Sequence, residues 1–168
     1  MKKSIDELIE NYFMSKDIAE RNCILKYLVC NLPADAKEFF LRAFKKERYL
    51  DMKLCAVRGY AEYADISEVE ALMDKLLALL KKIPDKTPYD YQEYEAMRSD
   101  FLMPYLIKKY NYDCFKTFSM QLEKQYDDMP DCFKNIYTLD SEGNLITIRD
   151  PAEVSQSLTD FFSNNKHS

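Results

Sequence analysis

Apolar residues recur along most of the chain at intervals of three and four positions, with polar residues between them. Such stripes are typical of amphipathic helices that bury one face. The spacing predicts helices at about 4–14, 17–31, 34–47, 49–64, 67–83, 90–110, 112–128 and 151–163. The sequence therefore predicts an all-α protein of about eight helices.

Side chains that can satisfy the free amides of a first helical turn mark several helix starts. Capping-box spacing is found for Ser4 with Glu7, Ser67 with Glu70 and Asp90 with Glu93, and Asp150-Pro151 with Glu153 is a similar start signal. Pro104 lies inside a helical pattern, so we expect a kink or break near Tyr105.

Strand character is confined to residues 136–148, where two β-branched or aromatic runs surround a turn-forming segment at 140–144. This pattern predicts a small C-terminal β-hairpin.

With 168 residues, the chain is expected to form a single domain, 1–168, with a helical body over 1–130 and a hairpin plus terminal helix over 131–168.

The segment 40–83 carries the most specific pattern. Val57 and Arg58 form a pair that Ala61 follows three residues later, and Asp51 lies nearby. This arrangement resembles a HEAT repeat, clearly over 17–83 and loosely over 4–128. The resemblance implies a HEAT-like α-α superhelix that binds other molecules, in which Arg58 and Asp51 tie helix pairs together. Gly59 inside this helix predicts close approach of a neighbouring helix.

Several classes of catalytic site lack the residues that they require. The only histidine is His167, and the only glycines are Gly59 and Gly143. A histidine-based nucleophile system, a histidine-bound metal, a P-loop and a dinucleotide-binding turn are therefore not expected. The carboxylate pairs Asp127–Asp128 and Glu62–Asp65 leave acid/base chemistry open, although a solvated face is favoured. We predict no catalytic residues, no cofactor and no metal.

Cysteine usage fits a reducing compartment, because the five cysteines form no CxxC pair and most lie in apolar helical stretches. We expect most of them to be small core residues. The sequence shows neither a signal peptide nor a membrane span, which predicts a cytoplasmic protein without membrane contact.

Charge is divided unevenly, although the net charge is −5. Residues 1–84 carry 15 basic and 14 acidic side chains, whereas residues 85–168 carry 9 and 15. This balance disfavours nucleic acid and favours a basic protein partner.

Tyrosine is abundant, with 13 residues against no tryptophan, and several tyrosines alternate with acidic side chains. Tyrosine is common in recognition surfaces because it combines apolar area with a hydroxyl. The expected partner-binding residues are Tyr60, Glu62, Tyr63, Asp65, Tyr89, Asp90, Tyr91, Glu93 and Tyr94. The alternative is that these tyrosines line the packing between helices.

Together these features predict a non-catalytic protein-binding module. Its acidic character and lack of catalytic residues also resemble those of bacterial immunity proteins, which bind and neutralise a toxin. Two alternatives stay open: a regulatory or scaffold subunit that docks through an apolar surface, and a nucleic-acid enzyme on a HEAT-like frame.

Overall fold

A computed structural model describes residues 4–80, 82, 101–110, 120, 123–124 and 126–165. Within them are seven α-helices and a two-stranded antiparallel sheet. The helices are α1 (Ile5–Met14), α2 (Ile18–Cys30), α3 (Lys37–Lys46), α4 (Leu50–Ala61), α5 (Ile66–Leu80), α6 (Met103–Tyr110) and α7 (Pro151–Asn164). The predicted helical class and the C-terminal hairpin are confirmed. The superhelical HEAT-like arrangement stays a prediction.

Contacts divide the chain into two compact units, Met1–Leu76 and Leu77–Ser168. The sequence predicted one domain with a helical body over 1–130, and that domain division stays a prediction. Each unit is described separately below.

The first unit is built from consecutive helices that pack on each other. Helix α1 contacts α2, α2 contacts α4, and α3 contacts α4. Helix α4 is buried on nearly every side: eight of its twelve residues are buried, and the other four, Leu50, Asp51, Lys53 and Arg58, are partly accessible. The core residues of this unit include Leu25, Leu28, Phe40, Met52, Leu54, Val57, Leu72 and Leu76.

Gly59 allows α3 and α4 to approach closely. A Cβ atom at this position would overlap the ring of Phe40, which is itself fully buried. The close approach predicted from this helical glycine is therefore confirmed, and it explains why a residue with poor helix propensity is used in the middle of α4.

Three predicted helix starts lie in the described residues, and two of them are confirmed. Ser4 and Glu7 form a reciprocal capping box at α1, and Asp150 caps α7 with Pro151 in the first turn. The third was wrong: α5 begins one residue earlier than expected, so Ser67 lies inside its first turn. The Asp90–Glu93 cap lies outside the described residues.

Asp65 and Glu68 form the capping box at α5. The Glu68 amide donates to Asp65 Oδ1 over 2.9 Å, and the Asp65 amide donates to Glu68 Oε2 over 3.0 Å. The sequence therefore contains two overlapping capping-box patterns, Asp65 with Glu68 and Ser67 with Glu70. The structure forms the first of them.

The second unit contains α6, the hairpin and α7. Only residues 101–110 of the helix predicted over 90–110 are described: residues 101–102 form a turn, and α6 begins at Met103. Pro104 thus lies in the first turn of a helix, where its missing N–H leaves no hydrogen bond unmade. Tyr105 lies inside α6, and residues 90–100 of the predicted helix lie outside the described residues, so the break expected near Tyr105 stays a prediction.

The hairpin pairs β1 (Tyr137–Leu139) with β2 (Leu145–Thr147), in a register that places Thr138 opposite Ile146. Gly143 closes the turn with a φ of +81° and packs against the ring of Phe101. A short 3₁₀ helix, Asp131–Phe133, packs on α7. The rings of Phe133 and Phe161 meet edge to face at 4.9 Å between centroids.

Candidate functional site

Tyr60 is the first of the predicted partner-binding residues along the chain, and its ring is buried with 6% of its surface exposed. The ammonium group of Lys37 lies 5.8 Å from the centre of the ring. Burial raises the pKa of Tyr60. A partner contact through Tyr60 would therefore require the helix packing to change.

Tyr63 has a packing role at the turn between α4 and α5. Its hydroxyl donates to the Pro33 carbonyl over 2.5 Å, and its ring stacks on Phe40 with 6.0 Å between centroids. Burial raises the pKa of Tyr63. These contacts agree with the alternative given above, in which the tyrosines line the packing between helices.

Glu62 and Asp65 are exposed at the same turn. The α5 amide of Glu68 holds the pKa of Asp65 below its usual range, and the Ser67 hydroxyl adds to this effect. Glu68 in turn accepts from Lys37 Nζ over 2.6 Å, and this bond lowers the pKa of Glu68. The two predicted acidic residues therefore present negative charge at the surface, while Asp65 also caps a helix.

The other predicted contacts, Tyr89, Asp90, Tyr91, Glu93 and Tyr94, lie outside the described residues. Asp51 and Arg58 both lie in α4, in its first and last turns, which places them about 10 Å apart along the helix axis. The structural tie between the two residues stays a prediction.

Helix α2 has apolar residues on both of its faces. Ile24, Leu25 and Leu28 are buried, whereas Cys23, Tyr27 and Cys30 are exposed. The last three follow the spacing i, i+4, i+7, so they lie on one side of the helix. We call them the α2 stripe. The expectation that most cysteines are core residues is confirmed for Cys55 and Cys132 but wrong for Cys23 and Cys30.

A buried polar cluster joins α1, α2 and the end of α3, and sequence reasoning missed it. Glu47 is 3% exposed and accepts from the Tyr12 hydroxyl over 2.7 Å and from Arg21 Nε over 2.8 Å. A second Arg21 nitrogen donates to Glu47 Oε2 over 3.2 Å, and a third donates to the Ser15 carbonyl. The clue in the sequence was Arg21, which lies one turn before the apolar residues of α2.

This cluster shifts the pKa of each of its members. Burial alone would raise the pKa of Glu47, but the hydrogen bonds from Arg21 and Tyr12 outweigh it and hold the pKa below its usual value. Burial and the bond to Glu47 raise the pKa of Tyr12 far above its ordinary value. The hydrogen bond to Glu47 raises the pKa of Arg21. The shifts favour the charged forms of both Glu47 and Arg21. Such a stable ion pair is typical of a structural role rather than of a group that reacts.

A cleft of about 180 Å³ in the second unit is lined by residues that include Cys132, Lys134, Tyr137 and Leu158. This volume is below that of typical ligand pockets. Among the described residues, no group of three or more His, Cys, Asp or Glu side chains is arranged to hold a metal ion. None of the described helices is long and apolar enough to cross a bilayer.

No family model, curated protein or solved structure matches this chain.

Proposed function

We propose that this chain is a non-catalytic protein-binding module. The observation that carries the proposal is the α2 stripe, because a helix that packs its buried face on α1 and α4 has little reason to be apolar on its solvent side as well. Apolar surface of this kind is frequent where proteins bind one another. Tyr27, 46% exposed, supplies the aromatic anchor.

One form of this function is an immunity or inhibitor protein that neutralises a basic toxin. Exposed Glu62 and Asp65 at the α4–α5 turn support it, since acidic groups steer a basic partner and accelerate its association. In this form the acidic turn carries the specificity of binding.

The second form is a regulatory or scaffold subunit of a larger assembly. The α2 stripe favours it, because such a subunit docks through apolar area rather than through charge. In this form Tyr27 carries the affinity and Glu62 is dispensable.

Affinity capture from a lysate of the source organism at moderate salt, read by mass spectrometry, tests the proposal. Four variants are compared with the wild type: Tyr27→Ala, Glu62→Gln and two matched controls. Tyr137→Ala removes a tyrosine that is 45% exposed in the second unit, and Glu10→Gln removes an exposed carboxylate on α1.

A stoichiometric partner that is lost with Tyr27→Ala alone supports the scaffold form. A single basic partner that is lost with Glu62→Gln alone supports the inhibitor form. The proposal is contradicted if no protein is retained, or if the retained proteins are insensitive to both changes.

A further inference from the structure

Four exposed cations lie within seven residues at the end of α3 and just after it. They are Arg42, Lys45, Lys46 and Arg48, which we call the cationic cluster. Their density is unexpected in a chain with a net charge of −5, and the near-neutral balance of residues 1–84 hides it.

The fold turns the only acidic side chain between residues 42 and 48 away from the surface. Glu47 lies between Lys46 and Arg48 in sequence, but its carboxylate points inward and is held by Arg21 and Tyr12. The cluster therefore presents four positive charges to solvent, while the negative charge of Glu47 is paired with Arg21 inside the first unit.

No acidic side chain in the described part of the chain forms an ion pair with any of the four cations. Their contacts are of another kind. The Arg42 guanidinium lies 4.0 Å from the centre of the Phe13 ring, and Lys46 Nζ donates to the Phe13 carbonyl over 3.4 Å. Glu38 and Asp51 flank the cluster along the chain without forming such a pair.

Two further features make this region suited to a partner. Tyr49 follows Arg48 directly and is 51% exposed, so an aromatic ring stands beside the charges. Arg42 is held over the Phe13 ring, which reduces the side-chain entropy that it would lose on binding.

We propose that the cationic cluster, with Tyr49, binds an acidic segment of a protein. A short acidic segment can match four clustered cations and avoid the rest of the chain. A nucleic acid would bring many more phosphates close to a protein that carries net negative charge. This surface is distinct from the α2 stripe and from Glu62, so the inference stands independently of the proposed function.

Fluorescence anisotropy with a short fluorescein-labelled peptide rich in Asp and Glu tests this inference on the full chain. The test variant is Lys45→Glu combined with Arg48→Glu. The control variant is Lys75→Glu combined with Lys108→Glu, which changes net charge equally at exposed positions on α5 and α6. Circular dichroism verifies that both variants keep the wild-type helical content.

We expect the wild type to bind the peptide with an affinity that falls as salt rises. The test variant should bind roughly tenfold more weakly, and the control should stay within about twofold of the wild type. The inference is overturned if the wild type does not bind the peptide at low salt, or if both variants weaken binding equally. It is also overturned if a single-stranded oligonucleotide of equal charge binds the wild type more tightly than the peptide.

Discussion

Glu47 affects both the packing of the helices and the charge of the surface. Its carboxylate lies at the junction of α1, α2 and α3, where Arg21 and Tyr12 supply three hydrogen bonds. A buried charge is tolerated only when its partners replace the water that it loses. The side chain thus fixes the relative positions of three helices, and its inward direction leaves the neighbouring cations exposed.

The pH dependence of stability follows from the lowered pKa of Glu47. In the unfolded chain this carboxyl titrates near 4.5, and in the folded protein it titrates below that value. The ion pair therefore contributes its full stabilisation above about pH 5, and this contribution is lost as the pH falls through the folded pKa.

We expect Glu47→Gln to lower the free energy of unfolding by about 3 kcal/mol at pH 7, because the partly buried Arg21 then lacks its counter-charge. The variant should also lose the part of the acid sensitivity that this pair supplies. Urea unfolding at pH 7 and at pH 4 measures both effects. Glu10→Gln, at an exposed position, should change neither, and an equal loss of stability in the two variants would contradict the assigned role of Glu47.

At the scale of single elements, the sequence predicted helices more reliably than it predicted their first residues. Six of the eight predicted helices correspond closely to described ones, because apolar spacing depends on many residues at once. The other two, 90–110 and 112–128, lie largely outside the described residues. A cap depends on two side chains, and Asp65-Ile66-Ser67-Glu68 allows more than one choice. The choice depends on where the chain leaves α4, which Tyr63 fixes through Pro33 and Phe40.

The capping assignment at α5 gives a direct comparison between two neighbouring positions. We expect Asp65→Ala to lower the free energy of unfolding by about 1 kcal/mol, because the Glu68 amide loses its acceptor. Ser67→Ala removes a hydroxyl whose bond is to Asp65 itself and should cost less than half as much. Chemical denaturation of both variants measures the difference. If Ser67→Ala proved the more damaging change, Ser67 would be the cap and the assignment would be wrong.

At the scale of the whole molecule, the two compact units each contain a glycine pressed against a buried phenylalanine. Gly59 faces Phe40 in the first unit, and Gly143 faces Phe101 in the second. Alanine at Gly59 would overlap the ring, and alanine at Gly143 would also have to adopt a positive φ. Alanine substitutions at the two positions are therefore expected to destabilise different units.

Hydrogen exchange read by mass spectrometry tests whether the units open separately. Gly59→Ala should cost about 1–3 kcal/mol and accelerate exchange within 4–76. Gly143→Ala should accelerate exchange within 101–110 and 126–165, with little change in the first unit. Each variant is the control for the other. Uniform acceleration along the chain in both variants would show instead that the protein unfolds as one cooperative body.

The sequence by itself determined the helical class, the hairpin, most helix positions and the need for close packing at Gly59, because these depend on spacing and backbone preference along the chain. Only the tertiary structure decided that Glu47 points inward, that Tyr60 is buried and that Tyr27 is not. A sequence pattern gives the face on which a residue lies, but contact between distant residues decides whether that face is covered. The acidic aromatic patch was predicted from neighbours in sequence, whereas the cationic cluster arises because Arg21, 26 positions away, neutralises Glu47.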